Sequence, residues 1–531
     1  MVPSPLSSSD MTAAPISSDR RTLLWAGIAA AIYLALCLWL FLSIRHANGG
    51  HFVFSLDDPY IHMALAEQIA HGSYGINPGE PASPSSSVLW PFLLAPFARL
   101  PLPAIVLLFN LLAGLAASIL IGFSVAAWTN HEEAPDTPRN LLTVLALILI
   151  GNLAGLTFVG MEHTLQVLLA GAGALGIIAC LRTGKIPTWC LVLAALGPMV
   201  RYESLTISVA LAIALIGLHQ RRKALLLLVA SVLPLIAFSL FLHHLKLPLL
   251  PGSVLIKGQV VGQNVSAARG FLRSVKVAVF SAATDNYHLP LFLLFLSLAG
   301  MAWKQTDRVK RFALAGAATA AGLHLLFGPF YWFYRYEVYI VFFSALVLIS
   351  TLYALPKIPL GWYALALLGC SHLYIQALHD TILNSHDIYL QQYQMHRFVT
   401  GFYTGNVAIN DLGLVSYRRR PGQQVFDLAG LGSIEATREK NKNAAWLDAV
   451  TREHNDGLVM LYEAGVRGIP GDWTRLGVLC NPNPTIFLGG RCVSYFATPL
   501  EPVQATRQQF NAFVKTLPPE IIVSSGDAKC P

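Results

Sequence analysis

The sequence predicts an all-α polytopic membrane domain of about eleven transmembrane helices, followed by a small mixed α/β extracytoplasmic domain. Three observations carry this expectation. Apolar residues make up 55% of the 531 and charged residues only 12%, against roughly 25% charged in soluble domains, and the mean hydropathy is +0.56. The apolar residues gather into repeated runs that approach the roughly 20 needed to cross a bilayer. Beyond residue 379 that pattern gives way to short strand-like runs divided by Gly, Pro and Asn.

Residues 1–21 read as a disordered cytoplasmic tail, rich in Ser, Pro and Ala and ending in Arg20 and Arg21. The apolar run from Leu23 to Ile44 is longer than a signal-peptide core, so it reads as a retained first span. Further spans are expected at 104–127, 140–159, 163–181, 187–200, 204–218, 224–242, 289–303, 312–330, 336–354 and 360–378. With the N-terminus inside, the cytoplasmic loops carry Arg182 and Lys185; Arg221, Arg222 and Lys223; Lys304, Arg308, Lys310 and Arg311; and Lys357. Basic clusters on every second loop are what the positive-inside bias produces.

The expected transmembrane domain covers 22–378, with outer loops at 46–103 and 243–288, and the tail 379–531 lies outside the cell's inner (plasma) membrane. The tail's 14 basic and 14 acidic residues cancel, so the whole net charge of +8 sits among the spans. That distribution serves orientation in a bilayer and gives no support to nucleic-acid binding. Strands are expected in VAIND, QVFDLAG, DGLVMLY, TIFLGG and CVSYFAT. Cys37, Cys180, Cys190 and Cys370 lie in apolar runs as small hydrophobes. Cys480 and Cys492 either close a disulfide, if the tail faces an oxidising compartment, or stand as unpaired thiols beside Cys530.

The chemistry concentrates in the first outer loop, SLDDPYIHMALAEQIAHGSYGINPGEPASPSSSVLWPFLLAP. Pro59 after an aspartate, an apolar stripe at Ile61, Leu65 and Ile69, and Gly72 predict a short interfacial helix. Asp58 is placed to cap it. Asp57 has no such structural task, and a second carboxylate beside the first costs repulsion and raises a proton affinity. A tuned carboxylate at the bilayer surface suits a general base that takes a proton from an acceptor hydroxyl.

This loop resembles the C-type (integral membrane) glycosyltransferases, and in particular their arabinofuranosyltransferase- and mannosyltransferase-like bacterial members. The matching residues are Asp57, Asp58, Tyr60, Ile61, Asn77, Pro78, Gly79, Glu80, Ser83 to Ser87, Leu89 and Trp90. GMEHTLQVLL (160–169) is similar to the family's Gly-Leu-Glu-Thr segment, and RYES (201–204) to its Arg-Pro-Glu-Gly with Tyr202 in place of Pro. LLPGSVLIKG (249–258) is similar to its Leu-Pro-Asn-Thr-x-x-x-Lys. NDLGLVSY and FDLAGL in the tail are similar to its Gly-Asp-x-Gly and Asp-Leu-x-Gly-Leu elements, with Asn410 where the family tends to have Gly. The resemblance implies a sugar donor on a polyprenyl phosphate, an inverting transfer, and an extracytoplasmic glycan, lipid or protein as acceptor.

The residues fit that chemistry on their own terms. A phosphate leaving group calls for cations more than for a strong acid. Lys257, Arg269, Arg273 and Lys276 crowd the second outer loop, and Arg201 and Arg335 sit at outer ends of spans. Arginine holds phosphate in a two-pronged fork. Glu162, Glu203 and Glu337 share that level, with Glu203 two residues from Arg201 and Glu337 two from Arg335, the spacing of local ion pairs. Each single cation or acid also fits a plain interfacial role. FYWFYRY (330–336) is either an interfacial aromatic belt or a sugar-stacking wall. Nothing in the sequence supports a divalent cation at Asp57, and no cofactor is expected. The rival reading is a transporter or flippase of a glycolipid or other envelope precursor. Such a protein calls for ionisable residues at mid-membrane or for internal repeats, and neither is evident.

Overall fold

The computed structural model describes residues 18–129, 136–253, 280–281, 284–353, 359–485 and 487–524. Residues 1–17 of the expected N-terminal tail lie outside the described residues. So do Lys357, Cys530 and most of the second loop, with Lys257, Arg269, Arg273 and Lys276.

Helices occupy every segment expected to span. They are α1 (Ser18–Ala47), then, beyond the first loop's short helices α2 (Asp58–Ala70) and α3 (Trp90–Leu94), α4 (Leu102–Thr129). The chain continues with α5 (Thr137–Ile150), α6 (Leu153–Val159), α7 (His163–Thr183), α8 (Thr188–Val200), α9 (Leu205–Gly217) and α10 (Arg221–His244). Last come α11 (His288–Lys304), α12 (Arg308–Phe327), α13 (Val338–Leu352) and α14 (Leu360–Leu390). Among the described residues, five helical stretches are long and apolar enough to cross a membrane: Asp19–Ala47, Leu102–Thr129, Thr137–Val159, His163–Thr183 and Arg221–His244.

Small residues let these helices approach closely, as in membrane bundles. Gly122 of α4 lies on the backbone of Ala26 in α1, Gly114 lies on the Tyr33 ring, and Gly316 of α12 lies on the backbone of Ala210 in α9. The run expected at 140–159 is two helices. Asn152 adopts φ 42° between α5 and α6, and its side-chain amide donates to the Tyr334 carbonyl at 3.2 Å. The left-handed residue breaks the ladder, and the amide ties the break to the turn before α13.

The last bundle helix, α14, runs on through the boundary expected at 378. Hydropathy falls there because its continuation buries polar side chains that satisfy the first loop. Ser385 Oγ donates to the Val53 carbonyl at 2.8 Å, Asn384 Nδ2 donates to the Ser55 carbonyl, and Ser55 Oγ donates to the Thr381 carbonyl at 2.9 Å. Positions 381, 384 and 385 share one helix face. They pin residues 53–55 by hydrogen bonds, so the chain reaches Asp57 along a fixed track.

The tail begins with α15 (Gln392–Gly401) and forms a six-stranded mixed sheet. The strands are β1 (Asn406–Ile409), β2 (Val425–Asp427), β3 (Asp456–Leu461), β4 (Thr474–Cys480), β5 (Cys492–Ala497) and β6 (Ile522–Ser524), in spatial order β2-β1-β3-β5-β4-β6. β2, β1 and β3 are parallel, and the rest pair antiparallel. Helices α16 (Ile434–Arg438) and α17 (Ala444–Glu453) separate β2 from β3, and α18 (Val503–Val514) precedes β6. Cys480 and Cys492 face each other in the β4–β5 register and are joined as a disulfide.

The described residues of TIFLGG form no strand. Its Phe487 lies among Tyr331, Trp332, Phe333 and Tyr334, with ring centroids 5.4, 6.3, 5.0 and 6.1 Å away. Those four residues all have positive φ, from 44° to 69°. A left-handed backbone costs roughly 1–2 kcal/mol for each such residue, so the turn persists because its surroundings hold it. Phe333 and Tyr334 are buried, and Phe487 is part of the same core.

Candidate functional site

The first loop, the ends of several bundle helices and the tail meet around a cavity of ≈ 260 Å³. Leu56, Asp57 and Asp58 line it from the first loop, Trp332 from the left-handed turn, and Ile388 and Gln392 from α14 and α15. Asn410, Asp411, Leu412, Asp427, Ala429 and Leu431 line it from the tail, with Phe487, Leu488 and Gly489.

The two aspartates have different tasks, and neither caps α2. Asp57 occupies the capping position with helical φ and ψ, and its side chain makes no capping hydrogen bond. Its Oδ1 instead accepts the backbone N–H of Leu414 at 2.7 Å. Its Oδ2 is buried with no hydrogen-bond partner, and Gly413 lies directly over it. Burial pushes the Asp57 carboxyl well above the ordinary carboxylate range; the negative charge of Asp411 adds to the rise, the Leu414 N–H opposes it, and Asp58 adds to it.

Asp58, expected as the cap, is instead an ion-pair partner. Arg335 Nη2 donates to its Oδ2 at 2.6 Å. Asp58 is the first residue of α2, one position past the capping place that Asp57 holds.

Arg335 is 1% exposed. Its Nη1 lies 2.6 Å from Met161 Sδ, and its guanidinium sits 5.0 Å from the centre of the Tyr336 ring. Arg201 approaches the same ring at 5.3 Å, so one aromatic ring serves two cations. Arg201 forks onto Glu203, with Nη2 to Oε1 at 2.9 Å and Nε to Oε2 at 3.2 Å, and its Nη1 donates to Glu162 Oε1 at 2.9 Å. Glu162 also accepts from Ser86 Oγ at 3.0 Å and lies 3.5 Å from His62 Nε2. His62 Nδ1 is 3.0 Å from Ser85 Oγ. Burial holds the His62 imidazole below its ordinary value, against the pull of Glu162 and Asp58.

Asp57, Asp58, Glu162, Arg201, Glu203 and Arg335 therefore come together. Glu337 does not join them. The local pair expected between Arg335 and Glu337 is absent, because Arg335 turns to Asp58 and Glu337 accepts the Tyr331 N–H at 3.3 Å inside the aromatic turn. Lys257 lies outside the described residues; of its segment, Gly252 N donates to the Ser83 carbonyl at 2.9 Å and Ser253 Oγ to the Ser85 carbonyl at 2.8 Å. Asn77 works structurally, bridging to the tail through Val425 and to Arg419.

Sequence reasoning did not single out His62, while Tyr336, Asp411 and Asp427 stood inside the runs FYWFYRY, NDLGLVSY and FDLAGL without a role of their own. His62 is four residues after Asp58, one helical turn along the same face, a signal that was available. Asp427 ends β2 and accepts the N–H groups of Ala429 at 2.9 Å and Gly432 at 2.7 Å, which shapes the tail's wall of the cavity. Among the described residues no three His, Cys, Asp or Glu side chains are grouped to hold a metal ion.

Residues 385–496, from the end of α14 through most of β5, match the family model of a domain of unknown function (DUF8728). No curated protein matches the chain.

Proposed function

We propose that the chain is an inverting glycosyltransferase of the plasma membrane, moving a sugar from a polyprenyl-phosphate donor to an extracytoplasmic glycan, lipid or protein. In this reading the eleven expected spans cross the bilayer, and the cavity and tail lie on the outer side. The observation that carries it is the division of labour in the Asp57–Asp58 pair. One carboxylate is buried with an unpartnered oxygen and a raised proton affinity; its neighbour holds a buried arginine whose Nε is without a partner.

Asp57 is the general base. The acceptor's hydroxyl oxygen forms a bond to the anomeric carbon from the face opposite the phosphate. The bond from that carbon to the phosphate oxygen breaks, and its electron pair leaves with the phosphate. The acceptor's proton passes to Asp57 Oδ2, and the configuration inverts. Oδ2 lies under Gly413, so acceptor entry lifts the tail loop from it. Arg335 and Arg201, fixed on Tyr336, stabilise the charge that grows on the leaving phosphate, a role in which prepaid orientation matters most.

The test has two parts. Lipid extracted from the purified protein is analysed by mass spectrometry, and a polyprenyl-phosphate sugar is expected. Transfer is then followed with synthetic polyprenyl-phosphate donors carrying arabinofuranose or a hexose, added to membranes that contain the full-length protein and supply envelope acceptors. Asp57→Asn keeps the shape and removes the basicity, which costs about 10²–10⁴-fold in rate. A folded Asp57→Asn protein with near-normal turnover would falsify the assignment.

A further inference from the structure

The tail that grips Asp57 also brings a second carboxylate to it. β1 is where the parallel half of the sheet reverses direction: the chain passes from β1 to β2 on one side and returns to β3 on the other. Ligand sites in parallel sheets form in the crevice outside the carboxyl ends of strands at such a reversal. Here that crevice faces the first loop. Asp411 follows β1, Asp427 ends β2, and both line the cavity with Asp57.

Asp411 is held in place. Gln392 Nε2 donates to its Oδ2 at 2.8 Å, and the Tyr462 hydroxyl, just beyond β3, donates to the same oxygen at 2.9 Å. Three residues later Leu414 gives its N–H to Asp57. One short loop thus grips Asp57 with its far end and fixes a negative charge beside it with its near end.

We propose that Asp411 is a positioning residue of the reaction centre, a fixed charge that strengthens Asp57 as a proton acceptor, so that the tail supplies half of the active site. The inference rests on the reading of Asp57 as the base. The groups that face Asp57 are Asp58 beside it, Asp411 and the Leu414 N–H from the tail, and the Tyr60 and Tyr462 rings; Arg335 stands behind Asp58. Of these, Asp411 is the largest charged influence on Asp57 after burial itself.

The sign is definite. A base works unprotonated, so transfer rises with pH through the Asp57 titration. Asp411 holds that titration up, and removing its charge moves the acidic limb of the rate profile to lower pH. Asn in its place still accepts from Tyr462 and Gln392.

The experiment is the pH profile of donor turnover in the membrane assay above, for the unaltered protein and for Asp411→Asn, Asp411→Glu and Asp57→Asn. The acidic limb is expected to fall by about one pH unit in Asp411→Asn, the scale at which carboxylate pairs interact, and to return in Asp411→Glu. Should Asp411→Asn not elute as a monodisperse protein, Asp411→Ser, neutral and smaller, goes through the same profile. An unmoved limb in the neutral variant, with Asp57→Asn inactive, overturns the role of Asp411 and leaves the base assignment standing. Full activity in Asp57→Asn, or no use of any donor, overturns the base assignment and this inference with it.

Discussion

The backbone N–H of Leu414 lies 2.7 Å from Oδ1 of Asp57, across 357 positions of sequence. Between them Gly413 lies so close over Oδ2 that a β-carbon there would overlap the carboxylate. The loop after β1 is therefore fitted to one side chain of the first loop.

Gly413→Ala is expected to push this loop off Asp57 and break the Leu414 hydrogen bond. A hydrogen bond to a charged group contributes about 1.5–3 kcal/mol, so transfer should fall roughly 10- to 150-fold. Circular dichroism should stay unchanged, because the clash is local to the loop and the Asp57 side chain. Wild-type turnover in Gly413→Ala would show that the loop does not order Asp57.

Asp58→Asn tests the ion pair. Arg335 is buried, and removing the charge of its partner leaves a guanidinium without compensation, a loss on the order of 3 kcal/mol in buried pairs. The melting temperature in detergent should drop clearly. Asp57→Asn should not drop it, since that change relieves repulsion from Asp411 and Asp58. Equal melting temperatures for the two variants would remove the distinction between them.

Glu162→Gln should weaken donor use more than stability. Arg201 keeps its fork onto Glu203, so the cation stays in place, while the link through Glu162 to His62 and Ser86 is altered. The expected signature is a raised KM for the polyprenyl-phosphate donor with a melting temperature near that of the unaltered protein. An unchanged KM would return Glu162 to a structural role.

The expected orientation is open to labelling. His71→Cys in the first loop and Lys440→Cys in the tail replace exposed residues, as does Arg222→Cys at the start of α10. A membrane-impermeant maleimide should label the first two in intact cells and the third only after permeabilisation. Labelling of Lys440→Cys only after permeabilisation would invert the arrangement and remove the tail from the outer side.

What the sequence made legible follows from which forces are local. Apolar runs mark helices because burial in lipid or bundle stabilises residue by residue, and each expected span is helical, the run 140–159 as two helices. The C-terminal part of α14 was not legible, because Thr381, Asn384 and Ser385 look like surface residues until residues 53–55 are placed against them. TIFLGG has the composition of a strand, yet Phe487 is drawn into the aromatic turn instead. The true strand β4, TRLGVLC, was passed over because its charged start hides the alternation. In the site, the aspartate pair was readable from its helix, but its partners were not. Arg335 and Leu414 reach it through tertiary contacts that no spacing rule encodes.

The wedge of Phe487 in the turn 331–334 has a bearing on biosynthesis. The turn, the Asp57 carboxylate and the cavity wall all wait for residues between 410 and 490, which leave the ribosome after the whole bundle. A nascent chain with its helices inserted still lacks the loop that seats Asp57 and the ring that locks the turn. The cavity is thus complete only when the last quarter of the chain has folded back onto the first loop, and under the proposed reading that order of assembly ties donor use to the finished protein.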